Sequence, residues 1–78
     1  MKKETALKRI NNAVKQRLPN ESEQVRNYIA EIIFLTYDAL RMDAYEDDTD
    51  TSKLKFAIEV NLFDELTDLV EEAKRETI

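Results

Sequence analysis

Apolar side chains recur at intervals of three and four residues along most of this 78-residue chain, and this spacing matches one face of an α-helix. Pro19 is the only proline and glycine is absent, so few positions force a helix to stop. A chain this short hides only about 60–65% of its unfolded surface in one small core. The pattern predicts an all-α fold, a small three-helix bundle in which residues 1–78 form a single domain.

The first helix is predicted over residues 4–18. Its polar side is basic, because residues 1–18 carry six lysines and arginines against Glu4 alone, while the remaining residues carry a net charge of −10. A short basic arm thus precedes an acidic body. The apolar side is formed by Ala6, Leu7, Ile10, Val14 and Leu18.

The second helix is predicted over residues 21–45, after the joint marked by Pro19. Asn20 followed by Glu23 resembles a capping box at its start. Apolar residues cover more than one side of this segment, which is typical of a central helix. Its apolar side chains include Val25, Tyr28, Ile29, Ile32, Ile33, Phe34, Leu35 and Tyr37.

An acidic loop is predicted over residues 46–52 and a third helix over residues 53–76. Residues 53–60 alternate apolar and polar, as in a half-buried strand, but no second strand is available for pairing, so a helix is favoured. A break near Asn61 would raise the number of helices to four. The aromatic residues lie at helical spacing, which predicts a place in the core for Tyr28, Phe34, Tyr37, Tyr45, Phe56 and Phe63. Of these, Tyr45 is the one expected to be most exposed.

The missing residue types argue against catalysis. Without histidine and cysteine the chain has no imidazole base, no thiolate nucleophile and no zinc site of the usual kind, and without glycine it has no usual phosphate-binding loop. We therefore predict a protein that is not an enzyme, with no catalytic, cofactor-binding or metal-binding residues, no cofactor and no small-molecule substrate.

A calcium loop is the one inorganic site that the spacing suggests. Asp48, Asp50, Ser52 and Glu59 match positions 1, 3, 5 and 12 of that motif, but Lys53 stands where the motif requires glycine. A solvated acidic connector is the favoured interpretation.

Charge selects among the possible partners. The formal net charge is −5, which disfavours nucleic acid and anionic lipid and favours a positively charged protein surface. No apolar run is long enough to span a bilayer, and the first residues do not resemble a signal peptide. We expect a cytoplasmic protein that binds another protein, with a homodimer or a hetero-oligomer both possible.

The polar side of the first helix is the predicted contact surface. Its lysine, asparagine and glutamine side chains can form hydrogen bonds inside a partner's cleft. The predicted partner-binding residues are Lys8, Asn11, Asn12, Lys15 and Gln16.

One string in the C-terminal half resembles a known family. The sequence Leu54-Lys55-Phe56-Ala57, followed by Val60-Asn61-Leu62-Phe63-Asp64, is similar to a segment of the epsilon antitoxins, small acidic helical proteins encoded with zeta toxins. The resemblance implies a three-helix antitoxin that binds a P-loop kinase-like toxin acting on an activated amino sugar. It also implies that the first helix obstructs the toxin's nucleotide site.

The charge distribution of the chain also allows other functions. The acidic body could imitate the phosphate rows of DNA, as in a phage or mobile-element inhibitor of a DNA-binding protein. A bacteriocin immunity protein and a small nucleic-acid-associated module are the remaining alternatives, although residues 1–27 contain no aromatic side chain to stack on bases.

Overall fold

A computed structural model describes residues 2–40 and 51–77 of the chain. These residues form four α-helices and no strand, which confirms the predicted all-α bundle and the helical interpretation of residues 53–60. The end of the second predicted helix, residues 41–45, and residues 46–50 of the predicted acidic loop lie outside the described residues. The helices are α1 (Lys3–Arg17), α2 (Glu23–Leu40), α3 (Ser52–Glu59) and α4 (Leu66–Glu76), with a π-helical turn at Val60–Asp64 between α3 and α4.

The joint between α1 and α2 follows from Pro19. The amide of Leu18 donates to the carbonyl of Val14 and closes α1, after which proline offers no N–H to continue the helix. The hydroxyl of Ser22 accepts a hydrogen bond from the amide of Val25 at 3.2 Å, so Ser22 caps α2. The predicted capping box beginning at Asn20 is therefore wrong by two residues, because the turn after Pro19 takes up residues 18–21 before the helix begins.

A side chain of α2 holds this joint in place. The guanidinium group of Arg26 donates to the carbonyl of Leu18 at 3.4 Å and also to the carbonyl of Glu21. The Leu18 carbonyl also accepts the amide of Glu21 at 3.4 Å, and the charged guanidinium is a stronger donor than a neutral amide. The ammonium group of Lys74 in α4 lies 3.5 Å from the carboxylate of Glu21. This ion pair joins the turn between α1 and α2 to the last turns of α4.

The core surrounds α2, which packs against α1, α3 and α4 as expected for a central helix. Its fully buried side chains Ile29, Ile33 and Tyr37 meet Ile10 of α1 and Leu54 of α3 in one continuous cluster. Burial of one such large apolar side chain stabilises a fold by about 1.5–3 kcal/mol. The other buried apolar members are Ala6, Val14, Val25, Ala30, Phe34, Ala57, Leu62, Leu69 and Ala73.

The third predicted helix is interrupted where the hydrophobic pattern changes phase. Ala57 and Asn61 are buried four residues apart, as are Leu69 and Ala73, but eight residues separate Asn61 from Leu69. In a regular α-helix, residues seven positions apart lie on the same side after two turns. The spacing of eight is therefore one residue too long to keep Asn61 and Leu69 on the same side. The π turn and the break at Glu65 absorb this extra residue, and both halves then face α2.

The aromatic residues divide between the core and the surface. Phe34 and Tyr37 belong to the core as predicted, with ring centroids 6.4 Å apart, and Tyr28 is half-buried against it. Tyr45 lies outside the described residues. Phe56 and Phe63 do not belong to the core, since they are 55% and 60% exposed. Phe56 and Phe63 are seven residues apart and so share one side of this segment, which is turned away from the buried Leu54.

Candidate functional site

All five predicted contact residues of α1 are exposed. Ala6, Ile10 and Val14 direct the opposite side of the helix into the core. Because a helix turns by about 100° per residue, Lys8, Asn12 and Lys15 fall near the centre of the solvent side. We call these three residues the outward face of α1.

Two residues of the outward face also line a groove shared with α2. Asn12 and Lys15 lie there with Asn11, whose side-chain nitrogen donates to the carbonyl of Leu7 at 2.9 Å and so holds the side chain against its own helix. We call this depression, of about 320 Å³, the polar groove. Its α2 side is formed by Glu23, Arg26 and Asn27.

The contact residues predicted from the sequence do not include the three α2 residues of the polar groove. Their signal is present, because polar side chains at 23, 26 and 27 share one side of a helix by spacings of three and four. What the sequence lacks is the angle at which α1 folds back on α2. Arg26, which holds the joint, contributes to this groove as well as to the fold.

Gln16 lies on the opposite side of α1 from the polar groove. It borders a smaller pocket of about 290 Å³ between α1 and α3, with Ile58 and Leu62 on the far side. The guanidinium carbon of Arg17 stands 4.7 Å from the centre of the exposed Phe63 ring at the edge of this pocket, a cation–π contact. The five predicted contact residues therefore do not share one depression. Asn11, Asn12 and Lys15 line the polar groove, Gln16 borders the pocket beside α3, and Lys8 lies in neither.

A wide depression lies between α2 and α4, where the sequence predicted no site. Its volume is about 630 Å³, and its floor is formed by the apolar side chains of Tyr28, Ile32 and Leu35. Leu35 is 64% exposed, because α4 covers only part of this side of α2. We call it the acidic groove, since its rim includes Glu31 and Glu76 in addition to Gln24, Asn27 and Thr77.

The phenol of Tyr28 responds to this environment. Partial burial and the negative charges of Glu72 and Glu76 raise its pKa above the ordinary value of 10.0, and a hydrogen bond to the Glu72 carboxylate adds to the effect. The positive charge of Arg75 acts in the opposite direction. Burial, the largest of these causes, disfavours the charged phenolate whatever the local potential, and the two carboxylates add electrostatic repulsion.

The described residues contain neither a cluster of metal-ligating side chains nor a helix suited to cross a membrane. Across residues 2–40 and 51–77, no three carboxylates come together as a set of metal ligands. Two residues of the calcium-loop motif, Asp48 and Asp50, lie outside that part of the chain, whereas Ser52 and Glu59 begin and end α3. None of the four helices has the length and apolar character required to span a bilayer.

Comparisons with protein-family models, with curated proteins and with solved structures find no match to this chain.

Proposed function

We propose that the chain is a non-catalytic binding protein that inhibits a partner by covering its site, specifically an antitoxin that neutralises a zeta-type kinase toxin in the cytoplasm. The observation that carries this proposal is the outward face of α1. Lys8, Asn12 and Lys15 stand exposed on a 15-residue helix whose opposite face is fully used by the core. A partner can cover this face without disturbing the fold.

The chemistry of the outward face suits recognition of a protein cleft. Lysine ammonium and asparagine amide groups are donors for the carbonyl and carboxylate oxygens that line such clefts, and asparagine also accepts. The polar groove extends this surface across Arg26 and Asn27 of α2. Inhibition by occlusion needs only complementary shape and charge, and no reacting group.

The small core is consistent with a protein that gains stability in its complex. A partner that binds only the folded state adds about 2.7 kcal/mol to stability when its concentration is 100 times Kd. That gain is large compared with the total stability of a small domain.

Co-expression in bacteria tests the proposal in cells. A zeta-type kinase toxin is induced alone, with this chain, and with its Lys8→Glu/Lys15→Glu double variant. We expect the chain to restore growth and the double variant to fail, because the outward face then repels the surface it should bind. Lys55→Glu reverses one lysine charge on the exposed side of α3 and should still restore growth.

Two results would contradict the proposal. One is growth arrest that persists at full expression of the unmodified chain. The other is equal rescue by the double variant, which would remove the outward face of α1 from the inhibitory contact. Levels of each soluble variant, measured in the same cells, separate loss of binding from loss of folding.

A further inference from the structure

We propose that the acidic groove between α2 and α4 binds a basic amphipathic helix of a partner protein. This site does not include the outward face of α1 and does not depend on the antitoxin proposal, although Asn27 borders both this groove and the polar groove. The starting observation is an apolar floor left open on a small bundle. Leu35 is 64% exposed, and Tyr28 and Ile32 lie beside it, half-buried, on the same side of α2.

The spacing of the floor residues fits a helical ligand. Tyr28, Ile32 and Leu35 follow one another at four and three residues, so they form a stripe about 10 Å long on one side of α2. Helix-in-groove recognition uses apolar anchors at the same spacings on the ligand. The end of α4, with Glu76 and Thr77, forms a second wall that such a helix would lie against.

The charges around the floor select a basic ligand. Glu31 borders the groove on α2, and Glu76 borders it on α4. The Tyr28 hydroxyl donates a hydrogen bond to the carboxylate of Glu72, which also belongs to α4. Arg75 is the one cation shown to act on Tyr28, so acidic groups prevail locally. Both Glu72 and Glu76 contribute to the raised pKa of the Tyr28 phenol, after the larger effect of its partial burial. Lysines or arginines flanking the apolar anchors would meet these carboxylates, whereas an acidic helix would be repelled.

The basic helix of a second copy is a poor occupant. The side of α1 that carries its lysines presents Asn12 between Lys8 and Lys15, and it offers no large apolar anchor for the floor. The apolar side chains of α1, including Ile10 and Val14, are already used in its own core. The α1 helix of a second copy therefore does not supply such a ligand, and the occupant assigned to the groove is a helix of another protein.

A peptide titration against the full chain tests this inference. The probe is a synthetic helical peptide with leucines at spacings of three and four and lysines at the remaining positions, and its control carries glutamates instead of the lysines. Amide chemical shifts of the isotope-labelled chain locate the contact. We expect the lysine peptide to shift the signals of Gln24, Asn27, Glu31, Leu35 and Glu76 most, and the glutamate peptide to leave them unchanged.

Two variants separate the groove from general apolar or charge effects. Leu35→Gln should weaken the lysine peptide about tenfold or more, equivalent to at least about 1.4 kcal/mol. Phe56→Gln removes a similarly exposed apolar side chain from α3 and should change the affinity less than about twofold, which is below about 0.5 kcal/mol. Circular dichroism of both variants verifies that the helices are retained.

Three results would overturn the inference. The first is equal binding of the lysine and glutamate peptides, and the second is a set of shifted signals that maps outside the groove. The third is a dimer of the chain that Leu35→Gln dissociates, because a second copy would then be the occupant. The Lys8→Glu/Lys15→Glu variant should bind the peptide normally, so failure here is distinguishable from failure of the antitoxin proposal.

Discussion

The side-chain nitrogen of Asn61 lies 3.3 Å from the hydroxyl oxygen of Thr36 and donates a hydrogen bond to it, which joins the π turn to the central helix. The same nitrogen donates to the carbonyl of Ala57 at 2.8 Å, and the Thr36 hydroxyl donates in turn to the carbonyl of Ile32 at 3.2 Å. Asn61 is only 8% exposed and is the one buried polar residue among those the structure describes. These bonds fix the register of the segment from α3 to α4 on α2.

Replacing Asn61 by alanine should lower stability. The substitution removes both hydrogen bonds and leaves a small cavity, and each hydrogen bond contributes about 0.5–1.5 kcal/mol net. We expect a loss of about 1–3 kcal/mol in the free energy of unfolding, measured by urea denaturation, and a fall of several degrees in Tm. Asn12→Ala on the exposed side of α1 is the matched control and should stay within about 0.5 kcal/mol. Equal effects of the two substitutions would show that the Asn61 network does not hold the π turn.

The two sides of α2 should respond differently to shortened side chains. Ile33 is fully buried, so Ile33→Val should cost about 0.5–1.5 kcal/mol. Leu35→Ala removes a larger group from the exposed floor of the acidic groove and should cost less than about 0.5 kcal/mol. Thermal melts of both variants provide the comparison. A larger loss for Leu35→Ala would mean that this side chain is packed in the free protein.

Tyr28 predicts a pH effect at the alkaline end. Because its pKa in the folded state is raised above the ordinary value of 10.0, the folded chain holds the phenolic proton more tightly than the unfolded chain. This contribution to stability is complete below the unfolded pKa and is lost as pH rises through the folded pKa. The absorbance of tyrosinate, followed as pH rises, should contain one component that is absent from Tyr28→Phe, and this component should have a pKa above the ordinary value for tyrosine. Glu72→Gln should lower the pKa of that component. An unchanged pKa in Glu72→Gln would remove that carboxylate as a cause.

The outward face of α1 should carry a salt-dependent part of the partner affinity. Exposed ion pairs contribute about 0.2–1 kcal/mol each and are screened by salt, so the chain should bind a zeta-type toxin more weakly as ionic strength rises. The Lys8→Glu/Lys15→Glu variant should bind more weakly at low salt and show a reduced or inverted salt dependence. Lys55→Glu should follow the curve of the unmodified chain in the same calorimetric titrations. Identical curves for all three proteins would place the contact elsewhere.

Much of the fold could be predicted from local spacing. The apolar positions Ala6, Ile10 and Val14 located α1 to within one residue at either end, and Pro19 located the joint that follows it. The apolar residues of α2 on several sides indicated its central position, which the structure confirms. These features depend on the helical period alone, and the sequence displays that period directly.

The rest depends on how the helices meet. The π turn accommodates the one extra residue between Asn61 and Leu69. The sequence predicts only a break near Asn61, and it does not show the form of that break. Phe63 lies seven residues after Phe56, so helical spacing places both rings on one side, but that spacing does not show that this side faces solvent. The acidic groove exists because α4 leaves Leu35 uncovered, and a contact between helices distant in sequence has no local signal.

The most direct measurement of the central claim is a titration of the purified chain into a zeta-type kinase toxin while phosphoryl transfer to its activated amino sugar is followed. Occlusion by α1 predicts that activity falls in proportion to the added chain and is lost near one equivalent. It also predicts that the Lys8→Glu/Lys15→Glu variant requires a large excess. Full kinase activity in the presence of excess chain, with no complex detected between the two proteins, would contradict the account.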